Sequence, residues 1–271
     1  MLWERGVSGV LRLMTFNLRY DTPSDGENRW PYRRDAQIQL IKDRSPDLLG
    51  IQEGLPHMSR FLREQLTDYT FLGEGRDGGD NGEYNAILFR RDQLRVEESG
   101  TFWLSETPSV PGSRSWDAGC VRIATWALLT NIQSSRQVFF LNTHLDNKSQ
   151  LAREEGAKVI MDFLQRKVIG LPIVLTGDFN ATPANKVLEI LLAKTEHFHF
   201  QDAVATYLQL QPGEMGPATT HGFRGGDHAE RRIDYCLATS DLPVLRAEVL
   251  TNSPSGRPVS DHFPVEADLQ W

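Results

Sequence analysis

Hydrophobic positions gather in several short apolar runs along this chain, and four of those runs end alike. Leu11 to Phe16, Asp47 to Gln52, Gln137 to Thr143 and Leu171 to Leu175 read as strands. They lead into polar clusters: Thr15-Phe16-Asn17, Gly50-Ile51-Gln52-Glu53, Leu141-Asn142-Thr143-His144 and Thr176-Gly177-Asp178-Phe179-Asn180. A fifth cluster, Ser260-Asp261-His262, precedes the last strand, and Arg232-Ile233-Asp234-Tyr235 opens another.

Further strands are predicted at Tyr69 to Leu72, Ala86 to Phe89, Val96 to Leu104, Val121 to Asn131, Arg232 to Ala238, Val244 to Leu250 and Pro264 to Leu269. Val121 to Asn131 and Gln137 to Thr143 can pair across Ser134-Ser135. Helical spacing runs from Arg33 to Asp43 with Ile38 and Ile41 inward, and resumes after Pro56 with Phe61, Leu62 and Leu66. A longer helix, from about Ser149 to Lys167, presents Leu151, Val159, Ile160, Phe163 and Leu164, and Asn185 to Ala193 makes another. Loops are expected at Tyr20 to Arg29, Gly73 to Gly82, Ser105 to Gly119 and Pro212 to Asp227. Strands joined both by short turns and by helical crossovers imply an α/β (α+β) fold. It is a four-layer sandwich, two mixed β-sheets packed face to face with helices on the outside. Polar strand ends then gather at one rim. With no repeat or linker, residues 1–271 read as one domain, 1–9 being a loose extension.

Composition narrows the function classes. With 39% hydrophobic and 24% charged residues the chain is ordinary for a soluble enzyme, and no apolar run is long enough to cross a bilayer. Met1 to Gly6 carries Glu4 and Arg5 where an export signal needs an apolar core, so the expected location is cytoplasmic. No membrane association and no obligate protein partner are expected. A formal charge of −7 argues against gripping long nucleic acid by its backbone. Arg33-Arg34 and Arg231-Arg232 are candidates for a local basic groove or for solvated faces. Cys120 and Cys236, the only cysteines, exclude a cysteine-based zinc cage and are expected to be reduced.

Each polar cluster has a plain structural reading. Asn17 can cap a turn, Glu53 can be a charge ahead of the helix at Pro56, and Asp234 can pair with Arg231 or Arg232. Arg114 over Trp116 can staple a loop. Asp21, Asp25 and Asp146 can be solvated loop acids, and His57 a helix-surface residue. His197, His199, His221 and His228 are expected outside the reaction centre. Asp178 is hardest to explain structurally, because an acid straight after Ile173-Val174-Leu175 is costly unless solvated or paired.

Taken in order from Asn17 to His262, these clusters resemble the endonuclease/exonuclease/phosphatase superfamily. Gly82-Glu83-Tyr84-Asn85-Ala86-Ile87 and Arg114-Ser115-Trp116-Asp117 are similar to segments of its deadenylase-like branch and that branch's bacterial relatives. The resemblance implies a metal-dependent phosphoric ester hydrolase. Its catalytic residues would be Asp178 as general base, Asn180 orienting water or phosphate, and His144 and His262 contacting the phosphate, with Asp234 holding His262. Glu53 would be the principal Mg²⁺ ligand with Asn17 and Asp261 in support, and Mn²⁺ able to substitute. Arg114, Glu83 and Trp116 would position substrate. Water would be the nucleophile, since the His-Asp pair has no serine beside it.

A phosphodiesterase of nuclease type, resembling a 3'-5' exonuclease, comes first, its partner single-stranded nucleic acid or a nucleotide. A phosphomonoesterase or small-molecule phosphodiesterase is the alternative, followed by sphingomyelinase action and by a binding module on the same fold. Specificity is expected in Ser105 to Gly119 and Gln211 to Asp227.

Overall fold

The computed structural model describes residues 9–224, 230–252 and 256–271. The expected extension at 1–9, save Gly9, lies outside the described residues, as do His228 and Asp227 at the end of the long loop. In the first half come β1 (Val10–Asn17), α1 (Arg34–Arg44), β2 (Leu48–Gln52), α2 (Pro56–Gln65), β3 (Tyr69–Leu72), β4 (Ile87–Arg90) and β5 (Leu94–Trp103). The second half carries β6 (Ile123–Asn131), β7 (Gln137–His144), α3 (Gln150–Lys167), β8 (Ile173–Asp178), α4 (Lys186–Leu191), β9 (Phe200–Asp202), α5 (Ala203–Leu208), β10 (Asp234–Thr239), β11 (Val244–Val249) and β12 (Val265–Gln270).

Two six-stranded mixed sheets result, ordered β11-β12-β1-β2-β4-β3 and β5-β6-β7-β8-β10-β9. One parallel pair lies inside each sheet, β1 with β2 and β7 with β8, and each is made by a helical crossover, α1 and α3 respectively. The sheets bury Leu13, Leu48, Phe89, Phe140, Val174 and Val265 between them. The outer face of the first sheet packs Met14, Phe16, Leu49 and Ile51 against Ile38 and Ile41 of α1 and Met58 and Leu62 of α2. The outer face of the second packs Phe139, Leu141 and Leu175 against Ile160 and Leu164 of α3 and Leu188 of α4. This is the four-layer sandwich expected from the sequence.

Period-two geometry explains the site's position. Along β1 the residues facing the other sheet are Leu11, Leu13, Thr15 and Asn17; along β7 they are Val138, Phe140, Asn142 and His144; along β8, Val174, Thr176 and Asp178. Each inner face therefore passes from apolar to polar along one direction. Beneath the site lies a buried polar layer, where Gln52 Nε2 donates to Asn142 Oδ1 at 2.7 Å and to Thr15 Oγ1 at 3.0 Å. Thr176 Oγ1 donates to the same Asn142 oxygen at 3.0 Å. Gly50 makes room for this layer: a Cβ there would collide with Thr176 Oγ1 and Asn142 Oδ1.

Three expectations need correction. Leu151 is half exposed; Ile160 and Leu164 of α3 are buried and Val159 and Phe163 pack against the same core as expected, but at the start of the helix it is Ala152, Gly156 and Ala157 that turn inward. β9 and α5, which no periodicity announced, occupy Phe200–Leu208. Arg33 and Arg232 form no basic groove: both are buried, Arg33 donating to the carbonyls of Asn28, Leu18, Val259 and Arg19, and Arg232 pairing with Asp202. Both cysteines are free thiols, and burial pushes that of Cys236 well up.

Candidate active site

Strand register sets three side chains in a row. β7 and β8 run parallel with His144 opposite Asp178, and β10 runs antiparallel to β8 with Asp234 opposite the same Asp178. Asn17, at the end of β1, meets this row from the other sheet. Its Nδ2 donates to Asp178 Oδ2 and to Glu53 Oε1, both at 3.0 Å, while its side-chain Oδ1 accepts the Arg19 N–H at 2.9 Å. The second Glu53 oxygen accepts the Tyr20 N–H at 3.0 Å. Glu53 does this from a left-handed backbone, φ 63°, a conformation costing on the order of 1–3 kcal/mol that persists where surroundings demand it.

Asn180 is also left-handed, φ 48°, which asparagine tolerates better. Its N–H donates to Asp178 Oδ1 at 2.9 Å, and its side-chain Nδ2 reaches His144 Nε2 at 3.0 Å and the Leu145 carbonyl at 3.1 Å. A donor at Nε2 leaves the proton of a neutral His144 on Nδ1, a buried atom with no partner among the described residues. On the other flank His262 Nδ1 lies 2.8 Å from Asp234 Oδ2, which also accepts Thr219 Oγ1 at 2.6 Å. His262 Nδ1 is 3.9 Å and His144 Nε2 is 3.4 Å from Asp178 Oδ2.

The charges of this cluster are set by burial and by one another. Burial and then the Asp234 charge push the Asp178 carboxyl up to about 7, against the opposing pull of His262 and the Asn180 N–H. Burial alone would lower the His262 imidazole, but Asp234 outweighs it and holds His262 well above the ordinary histidine value. His144 has Asp178 3.4 Å away, but its Nε2 is hydrogen-bonded to the Asn180 amide and not to a carboxylate. Burial first, and then the positive charge of Arg122, hold it well below.

The endonuclease/exonuclease/phosphatase family model matches residues 14–262, a span that takes in the whole of this cluster. The chain belongs to that family. Members of this family hydrolyse phosphate esters, generally with a divalent metal. The chain is similar to the crystal structure of a family protein from Bacteroides vulgatus, with 36% identity, TM-score 0.88, and 96% and 98% of the two chains covered. It is similar to a mannosyl-6-phosphatase of Bacteroides thetaiotaomicron, with 31% identity, TM-score 0.87, and 96% and 100% covered. Nocturnin of Drosophila melanogaster is 23% identical over 284 aligned positions, covering 89% of this chain and 42% of that protein's length.

Among the described residues two groups of side chains have the spacing to hold the divalent metal expected of the family. Glu53, His144 and Asp178 each offer a ligand atom, all within 4.8 Å of one another, and Asp178, Asp234 and His262 do the same. Two carboxylates sharing one Asn17 amide suit a hard cation such as Mg²⁺, so the Glu53 and Asp178 side of the first group fits. The second group fits poorly, because an imidazole kept protonated by Asp234 has no lone pair to give.

The remaining residues expected at this family site stand further out. Asp261 lies 3.7 Å from the Arg19 guanidinium and accepts Ser260 Oγ at 3.3 Å, outside both metal-competent groups. Glu83 pairs with Arg76 at 2.8 Å, and burial raises its carboxyl despite that partner. Arg114 is exposed, and Trp116 is half-buried with its carbonyl accepting Ser149 Oγ at 2.8 Å; neither joins the hydrogen-bonded cluster. His57 is half exposed and 3.6 Å from Asp21. Asp21 and Asp25 are paired with Arg29 and Arg19, and Asp146 is buried under backbone N–H groups, so none of the three is a free loop acid. Sequence reading missed Thr219 and the arginines Arg76 and Arg122. Thr219 carried no signal, lying in a loop 15 residues before its partner Asp234. Among the described residues no helix is long and apolar enough to cross a membrane.

Proposed function

We propose that the chain is a divalent-metal-dependent phosphatase acting on a small phosphomonoester, sugar phosphates first. The observation that carries the hydrolytic reading is the His144, Asp178 and Asp234 row joined to Glu53 through Asn17 and flanked by the His262 pair. The monoester preference is supported by full-length similarity to the mannosyl-6-phosphatase and by the net charge of −7. The diesterase expected from the deadenylase-like segments becomes the second reading, favoured by the similarity to Nocturnin.

Glu53 and Asp178 would hold the cation, and Asn17 would supply its carbonyl after an amide flip or keep the two carboxylates in register. A bound Mg²⁺ or Mn²⁺ neutralises charge on the phosphoryl oxygens and makes a bound water more acidic. Asp178 accepts the proton of the attacking water, and Asn180, fixed by the Leu145 carbonyl, orients that water. His262, kept cationic by Asp234, donates to a phosphoryl oxygen and stabilises charge as it develops. His144, accepting the Asn180 amide at Nε2, would hold Asn180 in that orientation.

Hydrolysis of mannose 6-phosphate, glucose 6-phosphate, p-nitrophenyl phosphate, its bis ester and single-stranded RNA tests this, with Mg²⁺ or Mn²⁺ and with chelator. Metal-dependent monoester turnover that disappears in Asp178→Asn is expected. Cleavage of the diesters alone would replace the phosphatase by the diesterase, and equal rates in Asp178→Asn would sink the role given to that carboxylate.

A further inference from the structure

We infer that Arg122 seats the phosphoryl group, with Arg76 beside it, and that the pair selects for a monoester dianion over a diester; this rests on the phosphoester reading above. Arg122 immediately precedes β6. Because Ala124 pairs with Thr143 across β6 and β7, Arg122 falls opposite Leu145, next to His144 at the end of β7. Its side chain is only 7% exposed. A guanidinium so deeply buried ordinarily has its donors satisfied by a carboxylate fork or by carbonyls, as Arg33 and Arg232 do here.

Arg122 does not. The carboxylate within its reach, Asp146, lies 3.9 Å from Nε. That carboxylate already accepts four backbone N–H groups, Gly119 and Cys120 at 2.8 and 3.4 Å on one oxygen, Lys148 and Ser149 at 2.9 and 2.7 Å on the other. The Arg122 hydrogen bond to Asn147 Oδ1 is long, 3.4 Å, and buried Nε has no partner among the described residues. Leaving a buried cation short of acceptors is unfavourable, and a phosphoryl group supplies oxygens that the planar fork takes two at a time.

Its surroundings match that use. Arg122 and Arg76 both act electrostatically on His144, which has Asp178 at 3.4 Å. Arg76 is anchored by Glu83 at 2.8 Å, giving that glutamate the task of holding a guanidinium rather than touching the cation. Two guanidiniums suit a group carrying two negative charges, whereas a diester carries one.

The test compares wild type with Arg122→Ala, Arg122→Lys, Arg76→Ala and Asn147→Ala. Readouts are kcat/KM on p-nitrophenyl phosphate and on its bis ester, competitive inhibition by orthophosphate, and folding by circular dichroism. Arg122→Ala is expected to lose about 100-fold in kcat/KM on the monoester, as for removal of one preorganised oxyanion donor. It should lose less on the diester, bind orthophosphate more weakly, and recover part of its rate with added guanidinium. Arg122→Lys, which keeps charge without the fork, should fall between. Asn147→Ala removes only the loop hydrogen bond and should keep the wild-type monoester preference.

Should Arg122→Ala not fold, Arg122→Lys and the partly exposed Arg76→Ala decide the matter by the same readouts. Folded variants with unchanged orthophosphate inhibition and unchanged preference overturn the inference, as does an Asn147→Ala enzyme equally impaired. If wild type hydrolyses no ester at all, the phosphoester reading falls separately, and calorimetric orthophosphate binding judges the seat. Binding lost in the variant supports it, and no binding by wild type overturns it.

Discussion

His262 is bound to Asp234 through Nδ1 at 2.8 Å, and that contact fixes the imidazole's charge. Asp234 in turn is held by Thr219 Oγ1, so the carboxylate cannot swing away without breaking a second buried bond. Replacing the acid by its amide keeps the shape and removes the charge. Asp234→Asn should drop the His262 pKa, move the alkaline limb of the pH–rate profile to lower pH, and reduce kcat by about 100-fold or more. NMR titration of the His262 ring checks this directly: an unshifted titration in the variant would mean that Asp234 does not set its charge.

Asp178 supplies a second test, on metal binding. Its carboxyl, raised to about 7 by burial and by Asp234, is partly protonated at neutral pH before any cation arrives. A cation beside it favours the carboxylate, so metal binding must release that proton. Calorimetric titration with Mg²⁺ at pH 7 in buffers of different ionisation enthalpy should report release of a fraction of a proton per site. Raising the pH to 8.5 should tighten binding and abolish the release. In Asp178→Asn the release should vanish, and a release that persists there would have to come from another group.

Much of the arrangement was legible because β-strand periodicity is rigid. Once Leu11 and Leu13 face a core, Asn17 must face the same way, and the same holds for Val138 through His144 and Val174 through Asp178. What alternation could not convey was register. The opposition of Asp178 to His144 and Asp234, and the nearness of Arg122 to His144, depend on which residues pair across β6, β7, β8 and β10. A buried arginine at the start of a strand has the same sequence signature as an exposed one. Leu151 at the start of α3 was misplaced for a related reason: there the inward face is built from Ala152, Gly156 and Ala157, whose small size lets the helix approach, while Leu151 looks outward.

The polar layer below the site depends on a residue that contributes no side chain. Gly50 sits where a Cβ would strike Thr176 Oγ1 and Asn142 Oδ1, atoms already joined to each other, the second also to Gln52. Gly50→Ala must push the sheets apart or break those bonds. A loss of about 1–3 kcal/mol is expected from overpacking, more if a buried amide is left unpaired. Urea denaturation measures it. A variant as stable as wild type would show that the two sheets can separate at this level without cost.

Asp47 makes folding stability depend on pH in the opposite sense to most carboxylates. It stands before β2 with Oδ2 accepting the Arg12 N–H at 2.8 Å, and burial raises its carboxyl from 3.8 to about 6. The folded state therefore binds a proton more tightly than the unfolded chain. This contribution to stability is fully present below about pH 4 and is lost as pH rises through 6. Above that pH an unfavourable buried charge remains, only partly offset by Arg12 and Arg90. Asparagine at this position can still accept the Arg12 N–H and carries no charge to bury. Asp47→Asn should match wild type near pH 4 and exceed it at pH 7.5 by about 2 kcal/mol, measured as the difference between urea midpoints at the two pH values. If the variant is less stable than wild type at pH 7.5, the attraction of Arg12 and Arg90 outweighs burial and the sign assigned to Asp47 is reversed.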